Sequence, residues 1–398
     1  MNVPKLRFKE FNDEWRQINL KETFIYLSTN SLSREQLSDK GILKNLHYGD
    51  IHRKYNSIVN ENDDITTYVK DLNYINKYEK IKENDLIFAD ASEDYDGIGK
   101  AVEVINIKND TISGLHTILA REKEKIFAPM FKGYYFNSYI IHNQIRVLAN
   151  GFKVYGISKD SINKLNVKIP TINEQKKIAN TLNLLDKKIE LQSRKIEDLK
   201  LFKKGLNKNI FSNLNNKFKI GDLIIEYNEK TSTNNQYEVL SSTANGIILQ
   251  NEYFNTHIAS SNNIGYKVIP RGFMTYRSMS DTGEFHFNIQ NITECGIVSP
   301  AYPVFTVNEN IVDKNYFAYY INENKSFKNK ILSSKEGGTR YALSISKFKD
   351  IKLDLPSLKF QKKYAKLLIA YNQKTKQEDN KLCKLQKLKK GLMQSMFV

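Results

Sequence analysis

Arginine, lysine, asparagine, serine and threonine side chains can hydrogen-bond the exposed edges of nucleic-acid bases. This chain gathers them into a few glycine-containing stretches that also hold aromatic rings. In the first half these are Asn45-Leu46-His47-Tyr48-Gly49-Asp50-Ile51-His52-Arg53-Lys54-Tyr55 and Ala89-Asp90-Ala91-Ser92-Glu93-Asp94-Tyr95-Asp96-Gly97. In the second half they are Ser241-Ser242-Thr243-Ala244-Asn245-Gly246, Tyr276-Arg277-Ser278-Met279-Ser280-Asp281-Thr282-Gly283 and Gly337-Gly338-Thr339-Arg340-Tyr341. The candidate contacts are Lys44, His47, Tyr48, Arg53, Lys54, Ser92 and Lys153 in the first half. In the second they are Ser241, Ser242, Arg277, Ser278, Thr339 and Arg340.

Other chemistries lack their residues. His47, His52 and His116 have the right side-chain type for metal or proton work but no ligand spacing, so no metal or catalytic residue is assigned. There is no G-x-x-x-x-G-K-[ST] phosphate loop, no glycine-rich cofactor loop and no Asn/Asp-Pro-Pro-Tyr/Phe tetrapeptide. The acidic pairs Asp63-Asp64 and Glu93-Asp94 lie apart, without the lysine a nuclease site needs. Cys295 and Cys383 are too few for a disulfide framework or a zinc site and read as small apolar residues. No apolar run approaches the ~20 residues of a spanning helix, and Met1-Asn2-Val3-Pro4-Lys5-Leu6-Arg7 is no signal peptide, so a cytoplasmic, membrane-free protein is expected.

The elements that position these loops come in two copies. A passage of about 54 residues at 158–211 recurs without a gap at 344–397, with about fifteen identities. Pro170 falls on Pro356, Gln175-Lys176-Lys177 on Gln361-Lys362-Lys363, and Ala179 on Ala365. Leu182 falls on Leu368, Lys203-Lys204-Gly205-Leu206 on Lys389-Lys390-Gly391-Leu392, and Phe211 on Phe397. After Pro170, Thr171 and Glu174 form a capping-box pattern, and Ser357 keeps the cap while Phe360 replaces the glutamate. Apolar residues then recur in steps of three and four, with breaks: Ile178, Leu182, Leu185 and Ile189, then Ile196 and Leu199, then Leu206 and Ile210; in the second copy Tyr364, Leu368 and Tyr371, then Leu382 and Leu385, then Leu392 and Met396. That spacing is a helix-pair seam, and Gln192, Glu378, Lys203 and Lys389 are polar seam entries of the kind that fix register. Each helix would be about 60 Å long.

Charge follows the same plan. Of the net +17, residues 171–212 carry ten Lys/Arg against five Asp/Glu, and 357–398 carry eleven against two, or +5 and +9. The excess suggests an acidic partner, with the helices supplying the long-range attraction and the loops the chosen contacts. Strand-like runs such as 86–89, 101–105, 237–240, 272–276 and 302–307, with a helical pattern at 315–322, mark both large segments as mixed α/β. The expected architecture is two similar mixed α/β domains, 1–170 and 214–356. Helices at 171–213 and 357–398 join them as a long antiparallel two-helix coiled coil.

The chain resembles the specificity subunit of type I restriction–modification systems. The residues carrying the resemblance are Trp15 in Phe11-Asn12-Asp13-Glu14-Trp15, Tyr48-Gly49-Asp50-Ile51, and Gly151 to Ser158 leading to Pro170-Thr171-Ile172-Asn173-Glu174-Gln175-Lys176-Lys177-Ile178-Ala179 and Leu182 to Asp186. In the second half they are Gly296-Ile297-Val298-Ser299-Pro300, Tyr302, Gly337-Gly338 and Pro356 to Gln361. The resemblance implies two target-recognition domains, each reading one half of a split double-stranded DNA sequence. It implies two methyltransferase subunits bound to this chain, carrying the S-adenosylmethionine, and motor–nuclease subunits with ATP and Mg in the restriction enzyme. No cofactor is expected on this chain itself. Two alternatives stay open: a coiled-coil scaffold binding nucleic acid without sequence preference, and an enzyme with an unrecognised active site.

Overall fold

The computed structural model describes residues 3–61, 67–75, 78–151, 153–210, 217–250, 262–333 and 341–398. Gly337, Gly338, Thr339, Arg340, Asp63 and Asp64, and the boundary expected at 213–214, lie outside the described residues. The chain forms two compact units, Met1–Arg194 with Asp379–Val398, and Lys195–Glu378. Each unit therefore holds one globular domain, the first part of the long helix that follows it, and the last part of the other long helix.

In the first unit a five-stranded sheet has the order Phe24–Leu27, Thr117–Glu122, Leu86–Ala89, Ala101–Ile105, Ile58–Asn60. Its pairs are antiparallel except the last. Leu86, Ile87, Phe88 and Ala89 are all fully buried, which explains a continuous apolar strand in place of an alternating one. A four-stranded sheet of Thr111–Ser113, Lys44–Leu46, Thr67–Val69 and Leu37–Ser38 accompanies it. The antiparallel pair of Arg16–Ile18 with Val167–Ile169 brings the domain's entry to its exit. Trp15, Phe24, Phe88, Phe131, Tyr135 and Phe136 fill the core, and Met396 and Phe397 from the end of the second long helix complete it.

In the second unit Ile224–Glu226, Val304–Val307, Met274–Thr275 and Asn288–Ile289 make a four-stranded antiparallel sheet. A second sheet has the order Gly246–Leu249, Glu238–Thr243, Cys295–Val298, Lys267–Pro270. Lys217–Lys219 pairs with Lys352–Asp354 as the entry–exit ribbon. The strand expected at 272–276 is shorter, because Gly272 takes φ +83° and Phe273 donates back to Pro270 in a turn. The helical pattern at 315–322 is the helix Lys314–Glu323, capped by Asp313, whose carboxylate accepts from the Tyr316 amide.

The long helices span Ile172–Ile210 and Leu358–Ser395. Within the first unit Ile178, Ala179 and Leu182 share a core with Met396 and Phe397, and Asp186 pairs with Lys389 at 2.6 Å, so the two helices run antiparallel. Within the second unit Leu206 packs on the core containing Ala365, and Lys195 pairs with Glu378 at 3.0 Å, again antiparallel. Seam residues Ile178, Leu182, Leu185, Ile196, Leu368 and Tyr371 are buried; Ile189, Leu199, Leu206, Tyr364, Leu382, Leu385 and Leu392 are half-buried. The leading turns of each helix seal the domain they follow as well as facing the other helix. The capping-box carboxylate has a different partner: both oxygens of Glu174 accept from the Arg7 guanidinium, at 2.8 and 2.7 Å. Cys295 is half-buried, but Cys383 is exposed on the second helix and is no core residue.

Candidate nucleic-acid interface

In the first unit the candidate contact loops centre on the short helix Tyr48–Arg53. His47 caps that helix: its Nδ1 accepts from the Gly49 amide at 3.1 Å, so this nitrogen carries no proton. Burial, and next the Arg34 guanidinium, hold the His47 pKa below its ordinary value. The Tyr48 ring stands among imidazoles, with centroids 4.6 Å from His47, 6.1 Å from His52 and 5.3 Å from His116. His52 donates Nε2–H to the Ala91 carbonyl at 2.9 Å, which ties the helix to the second predicted loop. His116, in a left-handed turn at φ +53°, lies 3.2 Å from Asp90, whose pKa burial raises and His116 opposes.

That second loop is built on a ribbon in which Ser92 pairs with Tyr155 and Ala91 with Gly156. Tyr155 meets Tyr95 at 5.1 Å, and Arg146 both pairs with Asp96 at 2.7 Å and lies over the Tyr95 ring. Sequence reasoning assigned no contact to Arg146, Tyr155 or the His116–Asp90 pair, although two of the loops they join were marked.

The predicted contacts divide accordingly. Arg53 and Lys153 are exposed, Tyr48 is half-buried, and Lys54 is exposed while pairing with Asp50 at 3.1 Å. Lys44 is not a surface cation: its ammonium is buried against Glu61 at 3.2 Å and supports the loop from beneath. Ser92 is likewise buried and accepts from the Asp94 amide at 3.2 Å, a turn-forming role.

The second unit places its loops on a matching ribbon, Met279–Ser280 with Tyr341–Ala342. The hairpin turn at Ala244-Asn245 and the stretch 276–284 enclose a concavity of about 380 Å³ lined by Ser241, Ser242, Arg277, Ser280, Asp281, Thr282, Glu284 and Tyr302. Arg277 is exposed, Ser241 is half-buried, and Ser242 is buried, accepting from Asn288 at 2.8 Å. Ser278 donates to the Ala301 carbonyl at 2.7 Å. The arrangement offers donors and acceptors for a polar edge, and His286 also lies on the lining. Among the described residues no group of three or more His, Cys, Asp or Glu is placed to hold a metal ion, and no helix is long and apolar enough to cross a membrane.

Residues 12–201 and 213–387 both match the family described as Type I restriction modification DNA specificity domain. In three dimensions the chain is similar to a type I restriction–modification S subunit from M. genitalium. That match has 15% identity and TM-score 0.60, over 100% of this chain and 99% of that one. It is also similar to a chain of a type I R-M system described for its complex assembly and conformational transition (14% identity, TM-score 0.50, 95% and 96% covered). The HsdS subunit from Thermoanaerobacter tengcongensis matches at 13% identity and TM-score 0.47 over 96% of both chains. At these identities the structural likeness is one of fold.

Proposed function

Because the chain belongs to the Type I restriction modification DNA specificity family, we propose that its two domains each read one half of a bipartite duplex sequence while bound partners do the chemistry. Residues 1–170 and 214–356 are the recognition domains, and the helices at 171–213 and 357–398 set the gap between half-sites. Two methyltransferase subunits, one per half, supply S-adenosylmethionine and flip out the target adenine, a step duplex chemistry requires. Motor–nuclease subunits, with ATP and Mg, complete a restriction complex in the same cytoplasmic compartment.

One observation carries this reading. Both units present the same short ribbon, Ser92 with Tyr155 and Ser280 with Tyr341, but flank it with different loops. A shared support with unlike loops suits two recognitions of one kind aimed at different sequences. Half-sites about a helical turn apart lie ~34–36 Å from each other, within the reach of helices this long.

Exchange of residues 214–356 for another such domain tests the reading in the assembled complex. Methylome mapping should show one half of the motif replaced and the other retained. If both halves change, or if the purified chain incorporates methyl groups without partners, the modular non-catalytic reading fails. Equal affinity for specific and scrambled duplexes would favour the scaffold without sequence preference.

A further inference from the structure

The repeated lysines of the two helices are an odd choice on stability grounds. Lys203 and Lys389 occupy seam positions, where an apolar side chain would pack better and a polar one fixes geometry instead. Both lie partly buried over an aromatic ring of a recognition domain.

In the first unit the Lys389 ammonium is 2.6 Å from Asp186 and 5.8 Å from the Tyr134 ring centre. The Tyr134 hydroxyl donates to the other Asp186 oxygen at 3.0 Å. Domain, following helix and the far helix thus meet at one point. In the second unit Lys203 lies 5.2 Å from the Tyr319 ring centre and 3.5 Å from Glu323, while Tyr319 donates to Asn207 at 3.1 Å. The tyrosines are equivalent. Asn137 and Asn322 make the same three hydrogen bonds, to Ala101 and Gly133 in one unit and to Phe287 and Ala318 in the other. Each tyrosine stands three residues before its asparagine.

Each domain is already pinned to the helix that follows it. Gln175 accepts from Ala128 and donates to Ile126 and Pro170; Gln361 accepts from Asp313 and donates to Ile311 and Pro356. Apolar packing also holds each domain to the far helix, through Met396 and Phe397 in the first unit and Leu206 in the second, but such packing carries little directionality. The lysine, arriving on the helix that follows the other domain, adds a directed, charge-assisted contact there.

We propose that Lys203 and Lys389 are positioning residues: each orients a recognition domain against the far helix, and so narrows the set of half-site gaps the protein accepts. The proposal rests on the bipartite reading above. One inserted base pair shifts a half-site by ~3.4 Å along the duplex and turns it by about 35°. A domain whose far-helix contact is directed as well as packed follows that turn less readily than one held there by packing and neutral contacts alone.

Methylome mapping of a host carrying the complete complex tests this directly, because it reports gap length as well as base identity. The wild type should methylate a motif of one gap. Lys389→Met should add sites with a gap one base pair shorter or longer, raised on the order of tenfold over wild type, the scale of one lost charge-assisted contact. Both half-sequences should stay unchanged. Lys389→Arg should restore the single gap, and Lys203→Met applies the same test independently in the second unit. Variants that lose methylation evenly at every gap, or keep the single gap at full level, overturn the proposal. A wild type without any bipartite motif would overturn the underlying reading instead.

Discussion

Lys132 and Phe317 occupy the same place in the two units, counted from the equivalent Asn137 and Asn322. Around Lys132 stand Glu103 at 3.3 Å and Glu122, an ionic triad that is almost wholly buried. The strand registers place Ile289 where Glu103 stands and Val307 where Glu122 stands, so the second unit fills the same space with apolar side chains. The difference traces to a helix start. In the first unit Met130 takes φ +66° and caps nothing, and Glu103 accepts from the Met130 and Gly133 amides in its place. In the second unit Asp313 does that work locally, which frees the strand position for an isoleucine. A buried charge cluster here compensates for a missing cap, and it is not evidence of catalysis.

The largest expected effect follows from breaking that triad. Lys132→Met leaves Glu103 buried without its cation and should cost about 3–5 kcal/mol in chemical unfolding. Burial raises the Glu103 pKa and Lys132 opposes the rise, so without the lysine the carboxyl gains a proton more readily. A carboxyl with a raised folded pKa favours the folded state at acid pH and loses that advantage as pH rises. The deficit of Lys132→Met should therefore shrink on acidification. The triple change Lys132→Phe, Glu103→Ile, Glu122→Val imports the second unit's filling but orphans the Met130 and Gly133 amides. It should still cost about 1–3 kcal/mol, and a neutral triple variant would refute the capping argument.

A matched pair sharpens what the units share. Gln175→Ala and Gln361→Ala each remove one acceptor and two donations at the junction of domain and helix. Each should cost about 1–3 kcal/mol, with faster amide exchange at Ala128 in one variant and Asp313 in the other. Equal costs would mark the clamp as a common joint. Unequal costs would mean that one unit has a second route for the same load.

Much of this was legible in the sequence because it repeats. An ungapped recurrence with a glutamine at the same offset announces a common joint, and a three-and-four apolar spacing announces the helices. Contacts formed across strands were not legible. Nothing near Lys44 signals that its ammonium lies buried against Glu61, because that pairing depends on how a distant loop returns. The same holds for Lys132 with Glu103 and Glu122. Seam residues Ile178 and Leu182 illustrate a third case: periodicity shows the buried face but not which partner covers it, and here domain and far helix share it.

The smallest effect separates the two sets of loops by pH. His47 caps the helix Tyr48–Arg53 through an unprotonated Nδ1, and protonation there removes the acceptor. Burial first, then Arg34 and His116, disfavour the charged ring; Asp50 alone opposes them, and the pKa is lowered. A histidine whose folded pKa is depressed binds fewer protons folded than unfolded. Its contribution is present above the ordinary value of about 6.5 and declines as the pH falls below it. Between pH 7.5 and 5.5 the Gly49 amide should lose exchange protection by on the order of 1 kcal/mol, the usual worth of an N-cap. His47→Asn supplies an acceptor that does not titrate and should hold protection constant across that range. The loops of the second unit are held instead by the hydroxyls of Ser278 and Ser280, which do not titrate there. On the two-domain reading proposed above, discrimination by the first domain should therefore weaken in mild acid and be restored by His47→Asn; weakening that His47→Asn does not relieve would remove His47 as the cause.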